Sequence, residues 1–178
     1  MSHSKKVLMK GLVIFLLVSA LGYTLYSQFI LNKEAIVINA NASKLSPAFS
    51  LKDLEDNEVN LKQYHGKGIL INFWATYCPP CEEEMLYLES AYKEYKDKGI
   101  EILAVDVGEP KIIVNHFVGK KELSFPILLD SKGEIADLYK VQTLPTTFLV
   151  NENGEIIEKI TGELSEEKIR QYVERIIP

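Results

Sequence analysis

Two hydrophobic patterns divide the chain. Residues 12–31 run for twenty positions without a charge, directly behind Lys5, Lys6 and Lys10. A helix of that length spans roughly 30 Å, about the hydrocarbon thickness of a bilayer. The cationic flank predicts that residues 1–11 stay in the cytoplasm and the rest is exported, with Tyr23 and Tyr26 suited to a membrane interface. A cleaved signal peptide ending near Val18-Ser19-Ala20 is the rival reading. Apolar character continues well past Ala20, which favours an uncleaved signal-anchor over both cleavage and a buried core helix. No cysteine stands directly behind the segment, so a lipoprotein form is excluded.

Beyond a polar linker over 32–46, the apolar positions recur with short periods. Phe49 to Leu51, then Glu58 to Asn60, flank Asp56-Asn57 as a short hairpin would. Residues 69–74 form a nearly unbroken apolar run of strand length, as expected for a strand covered on both faces. Cys81, Met85, Leu88, Tyr92 and Tyr95 recur at spacings of four and three, one stripe of a helix that Gly99 ends. Glu89–Lys93 and Glu94–Lys98 would pair on its exposed side. Residues 100–107 read as a second buried strand, and 110–120 as a helix with Ile113 and Phe117 inward. Residues 125–129 are followed by a short helix with Ile135, Leu138 and Tyr139 as its apolar face. Strands at 146–150 and 155–160 are joined by Asn153-Gly154, a hairpin signal. Ser165 can cap a last helix with the stripe Ile169, Tyr172, Val173 and Ile176. Strands alternating with helices, then a closing hairpin and helix, predict an α/β domain over 47–178: a central mixed β-sheet flanked by helices, with an N-terminal β-hairpin extension.

Composition narrows the function. The chain has 178 residues, 47% hydrophobic and 25% charged, enough for one real core plus an appendage. Net charge is −5 and no basic stripe follows the first ten residues, which argues against nucleic acid as a partner. The two cysteines are three apart, too few for a disulfide-stapled fold.

Those cysteines carry the chemistry. Trp74-Ala75-Thr76-Tyr77-Cys78-Pro79-Pro80-Cys81 runs a buried strand straight into a helix. Two intervening residues let the sulfurs close a small ring, so the pair can cycle between dithiol and disulfide. Cys78 precedes the helix, where the dipole and free amides stabilise a thiolate and lower its pKa below the ordinary ~8.5. Thiolate is the attacking species, so Cys78 is the expected nucleophile and Cys81, one turn in, the resolving thiol. Neither proline offers an N–H, which predicts a less acidified Cys78 and a couple tilted toward reduction. Zinc shares this spacing but needs about four ligands, and only His3, His65 and His116 remain. A copper carrier would want a third ligand, with His116 the mid-domain candidate. A purely structural disulfide is a further alternative, although so short a loop adds little stability.

Helical angle sorts the acidic triplet that follows. At about 100° per residue, Glu82 and Glu83 point away from Cys81, whereas Glu84 falls about 60° from it, at the edge of the apolar stripe. Glu84 either favours the helix dipole or exchanges a proton with Cys81. Leu144-Pro145 opens a strand, and statistics alone leave that bond trans.

Together these residues resemble the TlpA/ResA-type family of extracytoplasmic thioredoxin-like proteins. The matching pieces are Ser46 to Leu51, Gly66-Lys67, Ile71 to Cys81, Leu144 to Phe148 and Asn153-Gly154, within a similarity that covers about 47–178. The resemblance implies a thioredoxin fold, with a cis peptide at Pro145 beside the cysteines to receive an extended substrate segment. Trp74, Tyr77, Pro79 and Leu144 are expected to share that substrate contact with Pro145. It also implies that Glu84 is the carboxylate that serves Cys81, since the strand position that holds a buried Asp in cytoplasmic thioredoxins is Asn72 here. The activity implied is a protein-disulfide reductase acting on exported proteins, such as apocytochrome c before haem attachment or a spore-envelope protein. A transmembrane electron-donor protein would recharge it, no cofactor or metal is expected beyond the Cys78–Cys81 pair, and a monomer is expected. The Cys-Pro-Pro-Cys centre departs from the Cys-Glu-Pro-Cys form associated with ResA itself.

Overall fold

The structure, a computed structural model, describes residues 44–178 together with Ser19 and Tyr23. Apart from Ser19 and Tyr23, the expected membrane helix over 12–31 lies outside the described residues, as does most of the linker. Among the described residues no helix is long and apolar enough to cross a membrane.

Local chemistry starts the domain. The Asp53 carboxylate accepts the N–H groups of Glu55 (2.9 Å) and Asn57 (2.8 Å), closing the turn between β1 (Ser50–Asp53) and β2 (Glu58–Asn60). There follow β3 (Gly68–Trp74), α1 (Pro79–Tyr95), β4 (Ile100–Val107), α2 (Lys111–Lys121), β5 (Ile127–Asp130) and α3 (Glu134–Leu138). The chain ends with β6 (Thr146–Val150), β7 (Ile156–Thr161) and α4 (Glu166–Glu174). The sheet order is β2-β1-β5-β4-β3-β6-β7. β3, β4 and β5 run parallel and the outer strands antiparallel, so the sheet is mixed as expected.

The pleat of β3 sorts two cores. Leu70 and Trp74 face the side covered by Met85 and Leu88 of α1 and by Ile169 and Val173 of α4. Ile69, Ile71 and Phe73 face Phe49, Val59, Ala136 and Tyr139 on the other side. Successive side chains of a strand point to opposite faces, so an apolar run on β3 serves both layers at once. Asn72 shares the pleat face of Leu70 and Trp74, so a polar side chain is delivered beneath α1.

Four expectations are corrected. Ile113 is exposed and Val114 takes the buried place on α2, because the helix is rotated so that Val114 and Phe117 meet the core. Leu138 is exposed and Ala136 with Tyr139 seals α3. Glu94 pairs with Arg170 of α4 rather than Lys98, whose ammonium lies 4.3 Å from the Tyr95 ring centroid. The Glu89–Lys93 pair forms at 3.0 Å, but Glu89 is buried and also accepts the Ser124 N–H and O–H at 2.7 Å each.

Candidate active site

The site lies where β3 ends and α1 begins. Cys78 is the N-cap of α1, in an extended conformation, and Pro79 and Pro80 fill the first helical positions, where a missing N–H costs least. Cys78 and Cys81 are joined by a disulfide of 2.11 Å. Cys78 is 8% exposed and Cys81 1%, so the first cysteine is the one solvent can reach. Cys78 opens onto a cleft of about 630 Å³, with Tyr77 and Pro80 on one side and Val141, Thr143 and Leu144 on the other. Lys132 and Asp137 add charge to its lining.

The Leu144–Pro145 peptide is cis, as the resemblance implies. Leu144 lines the cleft, Tyr77 is 70% exposed beside it and Pro79 is exposed at the helix start, whereas Pro145 is buried at the head of β6. Trp74 does not belong with them. It is fully buried and packs on Phe117, ring centroids 5.1 Å apart, so it supports the loop from below and offers no surface to a substrate. The pleat that buries Leu70 buries Trp74 four residues on.

Glu84 sits one turn beyond Cys81 on the same face of α1 and is wholly buried. Its Oε1 accepts from Asn72 Nδ2 (2.9 Å) and from the Thr147 hydroxyl (3.3 Å), and its Oε2 from the Leu164 N–H (3.1 Å). Asn72 Nδ2 also donates to Thr147 Oγ1 at 2.9 Å, tying the three side chains together. Burial pushes the Glu84 carboxyl up to about 7, against the opposing pull of those donors. A carboxyl near neutrality can take or give a proton at little cost, which the dipole reading alone does not require. Thr147 and the Leu164 N–H escaped the sequence reading because they reach Glu84 from 63 and 80 residues away. Thr76 was also missed: its N–H and hydroxyl both meet the Glu109 carboxylate, at 2.5 and 2.7 Å. Among the described residues no group of three or more His, Cys, Asp or Glu is placed to hold a metal ion, and His116 is exposed on α2.

A disulfide that caps a helix, beside a cis-proline strand and above a buried carboxyl, defines a redox centre on a thioredoxin-like fold. Comparison with known proteins agrees. The AhpC/TSA family pattern matches residues 43–159. The thiol-disulfide oxidoreductase ResA of Geobacillus thermodenitrificans is 43% identical over 178 residues, covering 100% of both chains. The solved structure of StoA from Bacillus subtilis aligns with TM-score 0.63 and 30% identity, over 71% of this chain and 96% of that one. A thiol:disulfide interchange protein of the thioredoxin family from Chlorobium tepidum TLS shares the fold, with TM-score 0.71 at 20% identity, over 76% and 97% of the two chains. The chain belongs to the ResA/TlpA-type thiol–disulfide oxidoreductases of the AhpC/TSA family. It is accordingly a thiol–disulfide oxidoreductase.

Proposed function

We propose that this enzyme is a membrane-anchored reductant of disulfides in exported proteins, working through Cys78, Cys81 and Glu84. The observation that carries the reading is the division of labour along α1: an accessible Cys78 at the cleft, a buried Cys81 behind it, and a buried Glu84 one turn further. In the reduced enzyme the Cys78 thiolate attacks one sulfur of the target disulfide. A mixed disulfide forms and the other target sulfur leaves as thiolate. Glu84, as carboxylate, takes the Cys81 proton, and Cys81 then attacks Cys78 Sγ. The Cys78–Cys81 disulfide closes, and the second target sulfur leaves with a proton. Two electrons have passed from enzyme to target, and the enzyme is left in the disulfide form.

The lengthwise resemblance to ResA supports the wider placing, and the apolar residues 12–31 supply the anchor. On this reading the catalytic domain faces the extracytoplasmic side, and a membrane protein that carries electrons across the bilayer recharges the pair. Candidate targets are apocytochrome c before haem attachment and spore-envelope proteins. Pro79 and Pro80 withhold two amide donors from the neighbourhood of Cys78, which favours the thiol over the thiolate and hence a reducing couple. The reduction potential tests the direction. A strongly negative value is expected, and one near about −120 mV, typical of a dedicated oxidant, would reverse it.

A further inference from the structure

Among the described residues the buried carboxyl groups are satisfied in different ways, and one stands apart. Glu89 has Ser124 and Lys93, Glu101 has Lys67 on Oε2 although its Oε1 is unmatched, Asp130 has the N–H groups of Ile135 and Ala136, and Glu84 has three donors. Asp106, on β4, is fully buried. Its Oδ1 receives only the Glu109 N–H, at 3.3 Å, and its Oδ2 has no donor. What it does meet is the Glu109 side chain, a second carboxyl, itself only 8% exposed. No ion pair reaches either group among the described residues. Two carboxylates in buried contact, with no cation, cannot both be ionised.

We propose that Asp106 and Glu109 hold one proton between them, Asp106 as the acid and Glu109 as the carboxylate, and that this pair is the positioning device for the loop that carries Cys78. As an acid, Asp106 donates from Oδ2 to Glu109 and its unmatched oxygen gains a partner. Glu109 accepts both the N–H and the O–H of Thr76, at 2.5 and 2.7 Å. Thr76 stands two residues before Cys78, whose own N–H is turned back to Ala75 at 3.2 Å. Asp106 is fixed by the sheet, in register with Trp74 of β3. The buried strand thus reaches the attacking sulfur through one shared proton and two hydrogen bonds. The inference rests on Cys78 as the attacking thiol.

The surroundings of Asp106 agree with its being the acid. Burial first, and then contact with Glu109, push its carboxyl up to about 8. The charged groups that act on it are Glu109 from its own turn and Asp130 from β5, both acidic, while β3 presents the neutral Trp74 indole. Raising the pH past about 8 ionises Asp106 against Glu109. The two carboxylates then repel, the grip on Thr76 slackens, and added negative charge opposes the Cys78 thiolate.

The test uses the full chain, reduced, in detergent. Carboxyl-carbon NMR should find Asp106 titrating near 8; completion below about pH 5, the ordinary range, overturns the shared proton. Alkylation of Cys78 by iodoacetamide should fall below a single thiolate curve on the alkaline side, and Asp106→Asn should abolish that departure. The same departure in both proteins overturns the pair. Glu109→Ala should slow disulfide exchange roughly ten- to a hundredfold by misplacing Cys78, and Glu109→Gln, which keeps one acceptor for Thr76, should recover part of it. Equal rates in wild type and Glu109→Ala overturn the positioning role. Should Glu109→Ala lose its near-ultraviolet circular dichroism, the Glu109→Gln rate decides in its place. Persistent exchange in Cys78→Ser would instead overturn the attacking role of Cys78, a result on which the carbon titration does not depend.

Discussion

Glu84 and Asp106 are both wholly buried, and burial raises both carboxyls, to about 7 and about 8. Their neighbours differ in kind. Glu84 on α1 is met by donors: an amide, a hydroxyl and a backbone N–H. Asp106 on β4 is met by one long backbone N–H, from Glu109, and by another acceptor, the Glu109 carboxyl. Donors stabilise the ionised form and hold back the rise that burial causes, leaving Glu84 near the pH at which a thiol must lose its proton. An acceptor stabilises the protonated form, so Asp106 keeps its proton through neutrality. Burial sets the direction of a shift, and the hydrogen-bonding sense of the neighbours decides whether the group carries a proton or holds one in place.

The largest effect should come from the sulfurs that both carboxyls are proposed to serve. Cys81→Ala removes the resolving thiol, so turnover should cease and covalent complexes through Cys78 should accumulate on non-reducing gels with a disulfide-bearing protein. Free turnover without trapped complexes would remove the reason for comparing the two carboxyls. Next in size is Glu84→Gln. It keeps the shape and loses the proton, and exchange at neutral pH should slow roughly a hundredfold while the fold persists. An unchanged rate would return Glu84 to the helix dipole and leave the two carboxyls alike in being structural.

Stability against pH gives a further separation. The Glu84 pKa rises from 4.5 to about 7 on folding, so the folded state binds this proton more tightly than the unfolded one. Its contribution is therefore full below 4.5 and is lost as the pH climbs through about 7. The shift is worth about 3 kcal/mol. Asp106 slopes in the same sense over a wider window, from 3.8 to about 8. Denaturant titration from acid to mildly alkaline pH should show stability falling, and Glu84→Gln should flatten the earlier part. A slope unaltered in that variant would mean that Glu84 does not change state in this range.

Much of this arrangement was legible in the sequence because it is local. The apolar runs of β3 and β4, the stripe of α1, the Asp56-Asn57 and Asn153-Gly154 turns and the Ser165 cap all appear where residue spacing placed them. Glu84 could be set beside Cys81 because both lie on one helix. Its cage could not, since Thr147 and Leu164 belong to strand and loop segments that only the closed sheet brings under α1. Asp106, Glu109 and Thr76 escaped for the same reason, Thr76 and Glu109 being 33 residues apart. Trp74 was misread although its place was in the pattern: continuing the alternation of Leu70 and Asn72 turns it inward. Ile113 and Leu138 show the converse, apolar residues left in water because a neighbour one position away fits the core better.

The finest test concerns a single donor in the Glu84 cage. The Thr147 hydroxyl reaches Oε1 at 3.3 Å, a longer contact than the 2.9 Å from Asn72. Thr147→Val removes the hydroxyl with little change of shape, so the carboxylate loses its longest contact while Asn72 and Leu164 stay. The Glu84 titration should move upward by roughly half a unit to one unit, and the pH dependence of exchange should follow. Thr147→Ser, which restores the hydroxyl, should bring both back. A hydroxyl can also turn and accept from a protonated carboxyl, which neither the Asn72 amide N–H nor the Leu164 N–H can do. A downward shift in Thr147→Val would mean that Thr147 chiefly serves the acid form. The cage would then resemble the Asp106–Glu109 pair more closely than its donors imply, and the distinction between a carried and a held proton would have to rest on Asn72 and the Leu164 N–H.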